Sequence, residues 1–229
     1  MSTGHPIPTP DTRTPTPGLA TLLTWFSPAF PLGAFAYSHG LEAAVAQGGV
    51  RDGASTRGWI ETLLEAGSFW NDLVLLAQGL RLAGEGDEAG LAELSDLAIA
   101  LAGSAERRLE AEALGTAFTA AVRPWAGEIT PGAYPVAVAR AAHASGAARD
   151  DVLLAFAHGQ AANLVSAAVR LVPLGQSEAV QVLHELEPSI RDAAQRTAVS
   201  ELDDLGSHAL LSEIAAMRHE TLTTRLFRS

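Results

Sequence analysis

Apolar positions along the chain recur at helical spacing almost from end to end, interrupted by short runs of glycine and proline. A short helix is expected at about Leu19 to Phe26, and a second from Ser38, read as its N-cap, to Gln47. Asp52 and Ser55 offer caps for a longer helix beginning near Thr56. Trp59, Ile60, Leu63 and Leu64 mark its inner face, and Leu73, Leu76, Leu80 and Ala83 continue the pattern beyond Gly67, which kinks or divides it. Asn71 and Asp72 break the apolar run and are expected to cap or to bond nearby backbone. After a turn at 84–90, helices are expected at Leu91–Leu101, from a Ser104 cap to about Val122, and at Pro135–Ser145, the last two separated by a loop at 123–132. Asp150 or Asp151 caps a long apolar helix ending near Val172. After the break at 173–176 a helix starts at Ser177, restarts at Pro188 and runs toward Thr197. The last helix spans Ser207 to about Arg218.

No alternation of strand period persists, and valine and isoleucine are sparse beside alanine. The fold class is therefore all-α: a single compact, Ala-rich bundle of about eight to ten helices over 19–218. Residues 1–18, rich in proline and threonine, read as a disordered tail without a signal-peptide apolar region. Residues 219–229 read as a second tail with few features to fold it alone. The uncharged run Val152–Val169 approaches the ~18 residues of a membrane span. It contains His158, Gly159, Gln160, Asn163 and Ser166, so a buried central helix is expected instead, whose polar side chains find partners on neighbouring helices or line a polar passage.

The stretch Leu22–Asp52 organises the chain. It joins two helical pieces through the turn Ser27-Pro-Ala-Phe-Pro-Leu-Gly33, where Pro28 and Pro31 forbid a continuous helix. Phe26, Phe30, Leu32, Phe35 and Tyr37 are large for a loop, so the turn should be packed against something.

Composition narrows the function. A net charge of −11 argues against nucleic acid and against an anionic membrane surface. There is no cysteine, which excludes disulfides, thiol nucleophiles and cysteine metal sites. All fifteen basic residues are arginines, which removes the phosphate-loop lysine and Schiff-base chemistry. The glycines at 84–90 have the wrong spacing for a nucleotide loop and carry three acids, Glu85, Asp87 and Glu88, where phosphate would sit. With no export signal, the cytoplasm is the expected location.

Candidate chemistry is thin. No two of the seven histidines lie three to five residues apart, so no local metal chelate is expected, and no catalytic residue is assigned. Glu106, Arg107, Arg108, Glu110 and Glu112 read as a solvated face with i,i+4 pairs such as Arg108 with Glu112. Binding explains the apolar turn and the Arg/Phe-bearing C-terminus better than catalysis does.

Three separated segments carry a resemblance: SPAFPLGAFAYSHGLEAAV at 27–45, LVPLGQ at 171–176, and MRHETLTTRLFRS at 217–229. Their order resembles the UreF family of urease accessory proteins. The resemblance implies an all-helical, homodimeric, non-catalytic scaffold that joins accessory protein D (H in some organisms) and the GTPase G, in a complex that delivers nickel to apo-urease. It implies that nickel is handled by the complex and not bound stably by this chain. The partner-binding residues it implies are Phe30, Phe35, Tyr37, His39, Arg218, Arg225, Phe227 and Arg228, with Arg225 at the family's tail arginine. Phe35 stands where other members carry tyrosine, a loss that Tyr37 is expected to compensate. His158, Gln160 and Asn163 are the candidates for a polar nickel path. The alternative is a regulator of the partner's GTP hydrolysis through Arg225 or Arg228 as an arginine finger.

Overall fold

The structure, a computed structural model, describes residues 18–229, so the expected tail at 1–18 lies, but for Gly18, outside the described residues. Those residues form ten helices of six residues or more and no strand, as the periodicity requires. They are α1 (Leu19–Trp25), α2 (Leu41–Ala46), α3 (Gly53–Ala66), α4 (Ser68–Glu85), α5 (Glu88–Ala100), α6 (Ala105–Ala121), α8 (Tyr134–Ser145), α9 (Arg149–Leu171), α10 (Gln176–Thr197) and α11 (Leu210–His219). A single turn, α7 (Arg123–Ala126), lies in the expected loop.

Local chemistry sets most boundaries. Asp52 accepts from the Ser55 N–H at 2.8 Å and Ser55 Oγ reaches back to the Asp52 N–H, a reciprocal cap that starts α3. Gly67 divides α3 from α4. Pro188 does not restart a helix. It sits exposed within a continuous α10, where water can take the carbonyl freed by its missing N–H. Neither Asp150 nor Asp151 caps α9, which follows Ala148 without a side-chain cap.

Helix α9 is the axis, packed on α10, α4, α1, α2 and α3. By length and composition it is the one described helix that suits a membrane, yet Val152, Leu153, Phe156, Ala161, Leu164 and Ala168 are buried in the main core. Its small residues let the neighbours approach closely. A smaller core of Leu75, Leu91, Leu94 and Val136 lies under α5.

The aromatic turn is packed as expected. Trp25 is fully buried edge-on to Phe118, with ring centroids 5.5 Å apart; Phe26 meets Phe156 at 5.9 Å and Phe30 meets Phe118 at 6.1 Å. Phe35 is the exception, at 67% exposed.

Candidate functional site

The turn Ser38-His39-Gly40 sends the chain inward. His39 and Gly40 both take left-handed φ, +52° and +76°. A Cβ at Gly40 would lie 2.7 Å from the Ala216 backbone nitrogen, so only glycine lets α2 approach α11. The N-cap position of α2 is Gly40 and not Ser38, though the Ser38 hydroxyl oxygen still accepts from the Glu42 N–H in the first turn at 3.3 Å. The same hydroxyl donates to the Ser229 backbone oxygen, and the Ser38 N–H donates to that oxygen at 2.7 Å.

That contact corrects the expectation that 219–229 has little to hold it. The segment is seated against the body. The N–H groups of Leu226 and Phe227 donate to the two Glu42 oxygens at 2.8 and 3.0 Å, and the Arg228 N–H donates to the Ala36 carbonyl at 2.7 Å. Phe227 is buried beneath the Arg170 guanidinium, 4.4 Å from the ring centre, and Arg225 pairs with Glu106. His219, wholly buried, stands between the two anchoring acids: Nε2 is 3.0 Å from Glu42 and Nδ1 is 2.6 Å from Glu106. Burial would raise the Glu42 pKa, but the N–H of Leu226, His219 and the N–H of Phe227 hold it below the ordinary value.

Beneath the seated segment lies an ionic core. Glu110 pairs with Arg107, faces His39 Nε2 at 2.9 Å and accepts from the Ser229 hydroxyl at 2.7 Å. Arg107 also lies 3.8 Å from Asp72, whose carboxylate accepts from Gln160 of α9 at 3.2 Å. Burial alone would raise the Glu110 pKa; Arg107 and His39 outweigh it and bring it to about 2. Burial, then Arg107, holds the His39 pKa down. His39 Nε2 lies 2.9 Å from Glu110 and 3.2 Å from the Arg107 guanidinium, while Nδ1 is buried and unpartnered. Burial lifts Asp72 from its ordinary 3.8 to about 6, against the pull of Arg107.

The expected solvated face is thus half right. Arg108 and Glu112 pair on the surface, while Arg107 and Glu110 point inward. Nor do Asn71 and Asp72 bond local backbone: Asn71 accepts from the distant Gly206 N–H, and Asp72 joins the core.

The raised Asp72 pKa has a sign. A carboxyl that titrates higher in the fold than in the open chain contributes its stability below about pH 4 and loses it as pH rises through 6. Asp72→Asn keeps the shape and the neutral state, so it should raise stability by about 1–2 kcal/mol at pH 8 and leave it unchanged at pH 4. Urea denaturation at both pH values checks this; the same difference at both would reject the buried charge as its cause.

The structure brings several predicted residues together. Phe227 and Arg228 come from the far end of the chain to the turn that carries Phe35: the Arg228 N–H bonds the Ala36 carbonyl, and Arg170, over the Phe227 ring, donates to the Phe35 carbonyl at 3.1 Å, while Arg225 turns to Glu106. Arg218 lies apart, bonded to Gln47. Tyr37 is buried, so its hydroxyl cannot replace at the surface the one that Phe35 lacks. Phe30 and His39 line a cleft of about 120 Å³ with Glu110, Tyr134, Gln160 and Asn163. His158 does not join the other two proposed passage residues: it is exposed on α9, outside that cleft. Among the described residues no cluster of three potential ligands suits a metal ion.

Comparison with known proteins adds the family. The family model described as UreF matches residues 50–187. A urease accessory protein UreF of Rhizobium etli is 51% identical over 216 residues, covering 92% of this chain and 96% of the relative. One from Brucella canis is 45% identical over 228 residues, covering 97% of this chain and 99% of the relative.

The chain belongs to the UreF family.

It is thereby a urease accessory protein. The family match at 50–187 covers α3 to α9 and half of α10, and so includes Asp72, Arg107 and Glu110. Sequence reasoning missed Glu42, Arg107, Glu110 and His219 as a set. The available signal was unsatisfied chemistry: a glutamate amid LEAAV, and a His-Glu pair closing the last helix.

Proposed function

We propose that this chain acts in the cytoplasm as a non-catalytic homodimeric scaffold of urease maturation, bridging accessory protein D (or H) and the GTPase G in the complex that delivers nickel to apo-urease. The observation that supports it most is that the C-terminal segment, with Arg225, Leu226 and Arg228 exposed, is seated beside the turn that bears the exposed Phe35, the Arg228 N–H bonding the Ala36 carbonyl. On a chain of net charge −11 these exposed side chains suit a partner with carboxylates around an apolar contact. The outward leucines of α11, Leu210 and Leu211, with Met217, support self-association elsewhere. Nickel belongs to the complex in this reading. The alternative, an arginine finger supplied by Arg225 or Arg228 to the partner's GTP site, is separated from scaffolding by single-turnover GTP hydrolysis by G with and without this chain.

Co-expression with the cognate D and G proteins, followed by size exclusion with light scattering, tests it. A complex with two copies of this chain is expected. Arg225→Ala should lower the yield of G in that complex while the far-ultraviolet spectrum and the unfolding midpoint stay unchanged, because the guanidinium is 40% exposed. Elution of this chain alone, or full G recruitment by the variant, would reject the reading.

A further inference from the structure

The seated segment and the ionic core meet at one carboxylate. Glu110 takes the Ser229 hydroxyl on one oxygen and faces His39 Nε2 with the other. Through Arg107 it is joined to Asp72 on α4 and, beyond it, to Gln160 on α9. Glu110 and Ser229 are both almost wholly buried, so Ser229 stands where water would otherwise reach the carboxylate. Glu42, a further anchor of the segment, lies outside this network: its carboxylate takes the N–H groups of Leu226 and Phe227 and faces the His219 ring.

We propose that seating of residues 225–229 is energetically linked to the ionization of the interior cluster through Glu110, making the C-terminal segment a latch that reports and seals the core between α4, α6 and α9. The differential contact is explicit. With the segment seated, Glu110 has a hydroxyl donor and is 2% exposed; with it lifted, Glu110 and its neighbours become more exposed to solvent and lose that donor. Linkage is reciprocal, so a change in the cluster must shift the latch, and lifting the latch must shift the cluster. Asp72 is the useful reporter. It is faced by Arg107 and Glu110 from α6, Tyr134 from α8 and Gln160 from α9, and Glu213 of α11 acts on Arg107. Tyr134, its pKa pushed up by burial and by Asp72, stays neutral and does not compete in that range.

Two measurements on the full-length protein test the link from its two ends. Glu110→Gln removes the charge that receives Ser229. It should speed amide hydrogen exchange at Leu226, Phe227 and Arg228 about tenfold, the factor expected for a lost bond to a charged group, while exchange in α8 and α9 holds. Ser229→Ala, which leaves the ion cluster intact, should give a smaller acceleration at the same three amides and carries this arm where Glu110→Gln does not fold. In the other direction, Glu42→Gln loosens the segment at its outer anchor. The Asp72 carboxyl signal, followed by carbon NMR against pH, should then titrate about one unit lower, as water relieves its burial. Tail amides unmoved in both Glu110→Gln and Ser229→Ala would overturn the proposal. So would an unmoved Asp72 titration in a Glu42→Gln protein whose tail amides exchange freely.

Discussion

Arg107→Met should lower the free energy of unfolding by about 3 kcal/mol at pH 8, the scale of breaking a buried ion pair from one side. The guanidinium is 12% exposed and is the only arginine of the interior cluster, facing Glu110 and Asp72 together. Methionine fills much of the same volume, so the loss is chiefly electrostatic. Without the cation, Glu110 keeps only the His39 ring and the Ser229 hydroxyl, and burial, which already opposes its charge, is no longer outweighed. The folded variant then takes up a proton that the open chain does not, and its stability falls as pH rises. In the native protein the sign is opposite. Glu110 titrates at about 2 in the fold against an ordinary 4.5, so its contribution is present above 4.5 and lost as pH falls through 2. The deficit between the two proteins should therefore widen from pH 5 to pH 8. Urea denaturation at each pH reads it directly. A deficit that stays constant, or below about 1 kcal/mol at pH 8, would mean that water and not Arg107 solvates these carboxylates.

What the sequence disclosed and what it withheld follow from how local each cause is. Asp52 and Ser55 are three residues apart and cap one another, so the start of α3 is written in the sequence. The division at Gly67 is equally local, whereas the large side chains of the 26–37 turn announce that it is packed but not that Phe156 and Phe118, on α9 and α6, receive it. Arg107 and Arg108 are adjacent and chemically identical, yet one is interior and the other on the surface. About 100° of helix separates them, and the charge pattern of α6 fits either face. Only His39, Asp72 and Ser229, brought in from three other parts of the chain, decide which arginine turns inward. The seating of the C-terminus was hidden for a different reason. Its main holds are backbone N–H groups on Glu42 and a backbone oxygen on Ser38, and backbone donors leave no pattern among side chains. The motif named Phe35 and Phe227 without showing that Arg170 would lie against both, over the ring of one and on the carbonyl of the other.

The same reasoning makes His219 the most consequential side chain of the C-terminal segment, although it lies before the part that docks. Its ring nitrogens face Glu42 and Glu106 at 3.0 and 2.6 Å, both within hydrogen-bond distance. Each acid then uses its remaining capacity on the segment: Glu42 on the N–H groups of Leu226 and Phe227, Glu106 on Arg225. The ring thus fixes two acceptors in the positions that the segment needs. His219→Ala removes the buried ring that both carboxylates face and leaves a void of its size, and should cost about 3–5 kcal/mol. His219→Gln keeps a donor amide of similar reach but can direct it along one line only, and should recover part of that loss. The loss in the alanine variant should also be visible locally, because Glu42 and Glu106 are freed to repel one another and turn toward water. Trypsin should then cut at Arg225 and Arg228 several-fold faster at a temperature where the helical signal is still native, the rate tracking the population of the lifted segment. Slow cleavage in a destabilized His219→Ala protein would show that the segment is held by Phe227 under Arg170 and by Ser229 alone, and that the histidine serves only the packing of α11.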